Sequence, residues 1–131
     1  MFSIKTLSKN PKFITIRKSN IPNAGRGAFT NINIEENTYL GQYKGSVTRY
    51  YPNQYSQYIF RTTLNNNTIY IDAGNKVNSN WTRYMNSSND NETLNVTAEE
   101  KNDGCIYFYT SKNVKRGDEL LYYYGADYSF L

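Results

Sequence analysis

The sequence predicts a mostly β single domain built from many short strands. Three observations lead there. Runs rich in Tyr, Ile, Phe and Thr recur at strand length, several with period-two alternation. Polar turn signals separate them, and helical periodicity is thin. The 131 residues suit one core, and no linker, repeat or heptad divides them.

The elements follow in order. Phe13-Ile14-Thr15-Ile16 is the first strand run. Gly25-Arg26-Gly27-Ala28-Phe29 reads as a tight turn, because two glycines let the backbone bend and approach a ligand. Thr38 to Val47 is a second run, broken by Gly41 and Gly45, and Tyr55 to Thr63 a third. Asn65-Asn66-Asn67 turns into Thr68 to Asp72, where Ile69 and Ile71 share a face. Only Trp81 to Asn86 has room for a helical turn or two. Thr93 to Glu99 and Cys105 to Thr110 flank the hairpin signal Asn102-Asp103-Gly104. Alternation sends Ile106 and Phe108 one way, Tyr107 and Tyr109 the other. Glu119 to Tyr124 is the last strand, entered through Lys115-Arg116-Gly117.

Composition excludes several chemistries. There are no histidines and one cysteine. A Ser-His-Asp or Cys-His triad, a His metal ligand, a Cys₄ zinc site and an intrachain disulfide are therefore impossible. Catalysis has to rest on Tyr, Lys, Arg, Asp, Glu, Asn, backbone groups or a cofactor, and no metal is expected. No apolar run is long enough for a membrane helix, and the first ten residues lack a signal-peptide core. An intracellular compartment is expected, so the sequons at Asn86, Asn91 and Asn95 read as by-products of 19 asparagines. Charge is uneven. Residues 1–65 carry nine basic and two acidic side chains, while residues 66–131 carry six and nine. That pattern is either a mixed solvated surface or a basic face toward nucleic acid or chromatin.

Two further stretches stand beside the glycine pair. One is Asn80-Trp81-Thr82-Arg83-Tyr84-Met85-Asn86, followed by a polar loop to Asn95. The other is Gly117-Asp118-Glu119-Leu120-Leu121-Tyr122-Tyr123-Tyr124-Gly125. Each alone is explicable as packing: a core Trp beside a loop, and an aromatic edge strand. Their order, with Tyr43-Lys44-Gly45 and Tyr70-Ile71-Asp72-Ala73 between, resembles the SET domain of protein lysine methyltransferases. The match is closest to the PR/SET subgroup and runs from about Ile21 to Tyr128. The chain's brevity is similar to that of stand-alone SET proteins of large DNA viruses.

The resemblance implies the SET fold: small curved β-sheets, few short helices, and a C-terminal segment threaded as a pseudoknot. It implies S-adenosylmethionine as cofactor. Gly25 and Gly27, with Arg26 between them, present backbone to it; Asn86 hydrogen-bonds it; Arg83 and Tyr84 shape the pocket. Tyr124 stands at the junction of cofactor and lysine channel. Tyr43 lines that channel, and Tyr122 helps to set the number of methyl groups added. A subgroup tyrosine falls on Phe108, unless the alignment shifts by one residue onto Tyr107 or Tyr109. Tyr128 and Phe130 are candidates for a minimal channel lid.

The expected function is methyl transfer from S-adenosylmethionine to a lysine of a protein, a histone above all, in the nucleus or at chromatin or viral DNA. A catalytically weak SET-like module that binds protein or chromatin is the alternative. A third reading is a small β-barrel that stacks single-stranded nucleic acid on tyrosines, with Arg49-Tyr50-Tyr51 as its only hint. Homo-oligomerisation is left open.

Overall fold

The computed structural model describes residues 10–52 and 57–123. Strands dominate, as expected. β1 (Ile14–Lys18) pairs antiparallel with β2 (Arg26–Thr30), setting Ile14 opposite Thr30 and Lys18 opposite Arg26. The glycine pair therefore departs from the tight turn expected of it. Gly25 alone takes the left-handed conformation, at φ +72°, and bends the chain into β2. Gly27 lies inside the strand, where a Cβ would collide with the Glu119 carboxylate. Its small size serves packing and not bending.

The run from Thr38 to Val47 is split between two sheets, as β3 (Tyr39–Gln42) and β4 (Ser46–Thr48). β5 (Ile59–Leu64) and β6 (Asn67–Asp72) form a hairpin with Leu64 opposite Asn67. Asn65 and Asn66 turn it with φ of 51° and 67°, the left-handed pair that a two-residue hairpin loop needs and asparagine tolerates. β4, β6 and β5, in that order, make a three-stranded sheet. Two 3₁₀ turns follow, at Lys76–Asn78 and Trp81–Tyr84. The Asn75 side chain caps the first by accepting from Val77 N–H, and Asn80 caps the second by accepting from Thr82 N–H. The second turn stops at Tyr84, two residues short of the expectation, because Met85 is already extended.

A third sheet carries the threading. β7 (Asn86–Ser87), β8 (Val96–Glu100), β9 (Ile106–Thr110) and β10 (Leu121–Tyr122) join β3 in the order β3-β9-β8-β10-β7. β8 starts later than expected because Thr93 is held in a turn by the Asp90 carbonyl. β10 runs parallel to both neighbours, with Tyr122 opposite Ser87 on one side and Val96 on the other. The loop from β7 to β8 thus crosses over β10. Topology rules make such threading rare. Here Asn95 secures it: its Nδ2 donates to the Glu119 carbonyl (2.9 Å), and its Oδ1 accepts from Leu121 N–H (2.9 Å). Among the described residues none of the three sheets closes on itself, so the β-barrel reading loses its scaffold.

The core gathers where the sheets meet. Trp81, Met85, Leu120, Phe60 and Phe108 are buried together, and Phe13 meets Trp81 edge-on at 5.9 Å. Alternation along β9 is as expected: Ile106 and Phe108 face inward, Tyr107 and Tyr109 outward. On the outer face, Tyr107 donates its hydroxyl to the Asp103 carboxylate, and Lys101 Nζ donates to Tyr109 Oη at 2.7 Å. The Tyr107 bond, with a smaller contribution from Cys105 N–H, holds the Asp103 carboxyl below the usual range. The same bond raises the Tyr107 phenol, and the Tyr109 contact raises the Lys101 ammonium. Asp103 therefore adds stability above its unfolded pKa and loses it as pH falls through the depressed folded value. Tyr107 and Lys101 lose theirs as pH rises through their elevated folded values. Tyr107→Phe is expected to move the Asp103 titration upward in carboxyl NMR; an unmoved titration would contradict this pairing.

Candidate active site

A cleft of about 410 Å³ opens between the turn before β2, the segment Gln57-Tyr58, Lys76, and the strip from Arg83 to Ser87. Five of the six residues expected to hold a cofactor line it: Gly25, Arg26, Arg83, Tyr84 and Asn86. Gly27 does not, being buried against Glu119. At Gly25 an added Cβ would meet nothing within 4 Å, so the backbone there is open to an approaching ligand.

Glu119 organises the cleft from behind. It is 5 % exposed. Its Oε2 accepts from Ser19 Oγ (2.7 Å) and Asn86 Nδ2 (3.2 Å), and its Oε1 from Asn20 N–H (2.8 Å). Asn86 Nδ2 also donates to the Arg26 carbonyl at 2.9 Å. Both donors of the Asn86 amide are thereby committed to the scaffold. Its Oδ1, which has no hydrogen-bond partner among the described residues, is the group left for a ligand.

Arg83 is a wall and not a free cation. It is 7 % exposed, with Nε donating to the Ala73 carbonyl (2.8 Å) and Nη2 to the Gly74 carbonyl (3.3 Å). Its guanidinium centre lies 4.0 Å from the centroid of the Tyr58 ring and 4.9 Å from that of the Tyr84 ring, two cation–π contacts that help to hold both aromatics. Tyr58 then links the cleft to the core, since its carbonyl accepts the Tyr43 hydroxyl at 2.6 Å.

Tyr43 and Tyr122 meet in a buried aromatic cluster and do not line the cleft. Tyr43 packs on Phe60 (4.7 Å) and Phe108 (6.2 Å); Tyr122 packs on Phe108 (5.0 Å) and stacks on Phe60 (5.8 Å). Phe108, with no exposed surface, is the β9 aromatic facing this cluster, so the one-residue shift is unnecessary. Tyr124, Tyr128 and Phe130 lie outside the described residues. Sequence reasoning missed Tyr58 and Lys76, which carry no local motif. It quoted Glu119 and Asn95 within motifs but gave them no role. Among the described residues no group of three or more His, Cys, Asp or Glu is placed to hold a metal, and no helix is long and apolar enough to cross a membrane.

Residues 14–131 match the family described as PR domain zinc finger protein 2, PR domain. The chain belongs to the PR-domain family. This PR domain is 33% identical to the histone-lysine N-methyltransferase set-17 of Caenorhabditis elegans, over 97% of this chain and 45% of that protein. It is 30% identical to the histone-lysine N-methyltransferase PRDM7 of Homo sapiens, over 90% and 24%. It thus spans less than half the length of these curated relatives. Among solved structures, the methyltransferase domain of human PR domain-containing protein 2 superposes with a TM-score of 0.77 at 25% identity, covering 94% of this chain and 84% of that one. A chain of the polycomb repressive complex 2 of Chaetomium thermophilum gives 0.71 at 26% identity, covering 87% and 15%. The SET-type fold expected from the motifs is therefore the fold of this PR domain.

Proposed function

We propose that this PR domain is an S-adenosylmethionine-dependent protein-lysine N-methyltransferase whose substrate class is histone. One observation carries the reading. Five residues assigned to the cofactor on motif grounds, from segments about 60 residues apart, converge on one cleft that Tyr58 ties to the buried aromatic cluster. The residues present suit the cofactor: open backbone at Gly25, an acceptor at Asn86 Oδ1, a half-buried ring at Tyr84 and cations at the lip. Gly25, Arg26, Tyr84 and Asn86 would hold it, with Arg83 as the wall behind. When bound, S-adenosylmethionine supplies an electrophilic methyl group on a positively charged sulfur.

The chain's own task is to orient a lysine amine and to favour its neutral form, the ammonium proton passing to bulk water before transfer. A lysine ammonium has a pKa of about 10.4 in water. Aromatic walls disfavour the charged form and so favour the neutral nucleophile. Tyr43 and Tyr122 form part of those walls. The Tyr43 hydroxyl is committed to the Tyr58 carbonyl, so its contribution is to hold shape. Tyr124, by the role its motif implies, would orient the amine. Alignment of the reacting atoms is then the main source of rate.

The test is labelled-methyl transfer to core histones and a lysine-peptide panel. Tyr124→Phe is expected to lower turnover about a hundredfold with cofactor affinity nearly unchanged. Full activity in that variant would overturn the assignment. The inward position of Phe108 favours a second reading, a weak or inactive module, because one hydroxyl is absent from the cluster. Cofactor binding by calorimetry without any methyl transfer would support that module.

A further inference from the structure

Cations distant in sequence gather on the surface at the far end of β2 from the cleft. Lys12, Arg17, Lys115 and Arg116 are all exposed. Long-range bonds bring their backbones together around the segment Thr30 to Asn33. Asn31 Nδ2 donates to the Lys12 carbonyl at 3.0 Å, Gly117 N–H to the Thr30 carbonyl at 2.8 Å, and Arg116 N–H to Asn33 Oδ1 at 2.9 Å. Arg17 lies over the Phe29 ring, 3.6 Å from the guanidinium carbon to the centroid, and its Nη2 donates to the Gly117 carbonyl at 3.4 Å. None of the four cations has an ion-pair partner among the described residues.

A depression of about 520 Å³ opens on this face, between Asn33-Ile34-Glu35 and the segment Asn113 to Arg116. Ile34 and Val114 are buried beneath it and bond to each other backbone to backbone in both directions, at 2.9 and 2.8 Å. Its lip is rich in donors. Asn113 Oδ1 accepts from Glu36 N–H at 2.9 Å, just as Asn33 Oδ1 accepts from Arg116 N–H. Both side-chain oxygens are held by backbone, and neither amide NH₂ has a hydrogen-bond partner among the described residues. The neighbouring carboxylates are Glu35, Glu36 and Asp118. Asp118 Oδ2 accepts from Lys115 N–H at 3.2 Å, and Glu35 is the one carboxylate that lines the depression. Four unpaired cations and two free amides on three segments suit a partner that offers acceptors at regular spacing, as a phosphodiester backbone does. No aromatic ring lines the depression, so an unpaired base has nothing there to stack on.

We infer that this face, centred on Lys115 and Arg116, docks the phosphate backbone of double-stranded DNA without reading its sequence. Phosphate contacts fix position and orientation and carry no base information. β2 begins at Arg26 in the cleft and ends at Thr30 on this face, roughly 13 Å away by strand rise. A duplex held here therefore leaves the cleft uncovered.

Fluorescence anisotropy of the whole chain with a short labelled duplex, at several salt concentrations, tests this. Binding in the micromolar range is expected at low salt, with log affinity falling against log salt at a slope of about −3. Lys115→Gln combined with Arg116→Gln is expected to weaken binding about tenfold at low salt and to flatten the slope by about 2. Glu35→Gln is expected to tighten binding about twofold, since it removes the carboxylate from the depression. Lys44→Gln combined with Arg49→Gln removes the same charge from exposed sites beside β4 and is expected to leave the slope as it is. No binding by the parent, a flat salt response, or equal losses in the two double variants overturns the assignment. Tighter binding to the single strand of the same sequence overturns the choice of duplex. Cofactor binding by calorimetry is expected to be equal in the parent and all these variants, so failure of the DNA assignment leaves the methyl-transfer reading standing.

Discussion

Glu119→Ala is expected to destabilise the protein by about 3 kcal/mol, since it strands buried donors that each cost about 1–3 kcal/mol when left unmet. It is also expected to abolish cofactor binding. The Ser19 hydroxyl and the Asn20 N–H both end on this carboxylate, and Asn86 leans on it from the cleft. Loss of that anchor frees the Asn86 amide to rotate, and the acceptor it shows to the cleft is no longer fixed. A second variant separates polar loss from shape. Gly27→Ala drives a methyl group into the same carboxylate, at a cost of about 1–3 kcal/mol for overpacking. In a Glu119→Ala background the space is free, and most of that cost should vanish. Chemical denaturation of the two single variants and the double variant reads the coupling directly. Strict additivity would mean that Gly27 is not sized for Glu119.

The second large effect is expected at Phe108. Its ring has no exposed surface and touches Tyr43, Phe60 and Tyr122. Phe108→Ala should cost about 3–5 kcal/mol, the usual price of a large aromatic cavity. Collapse of Tyr43 into the void would also disturb its bond to the Tyr58 carbonyl and so reach the cleft wall. Phe108→Tyr probes chemistry instead. It adds a hydroxyl at the point in the aromatic cluster where the subgroup pattern has one. The expected result is faster turnover or a changed number of methyl groups per lysine, read by mass spectrometry of a peptide product. Turnover and product distribution both equal to the parent's would remove Phe108 from the site.

Short-range physics made much of this fold readable. The Asn65-Asn66 turn, the β8–β9 hairpin and the inward face of β9 follow from local propensity and period-two alternation. Local rules misjudged Gly27, because the reason for that glycine lies at Glu119, far along the chain. They also gave no hint of Tyr58 or Lys76, whose places in the cleft depend on how separate segments are brought together. That Gly25, Arg26, Arg83, Tyr84 and Asn86 share one cleft was readable only as a set, through the order of three motifs. Each motif on its own was compatible with ordinary packing. The threading of β10 came from resemblance alone, since general topology argues against it.

That threading constrains how the protein can be made. Among the described residues β7 has no sheet partner other than β10, and Glu119 bonds to residues 99 and 100 positions earlier. Pairings this distant in the chain are slow to form, because loop-closure entropy is lost before contacts repay it. The strip Asn86-Ser87 therefore stays unpaired until the segment Glu119–Tyr122 has been synthesised and inserted. Between the synthesis of β8 and the insertion of β10 the slot between β7 and β8 stands open, a target for chaperones. The proposed ligand site is thus complete only once the slot is filled, because Glu119 then reaches Asn86.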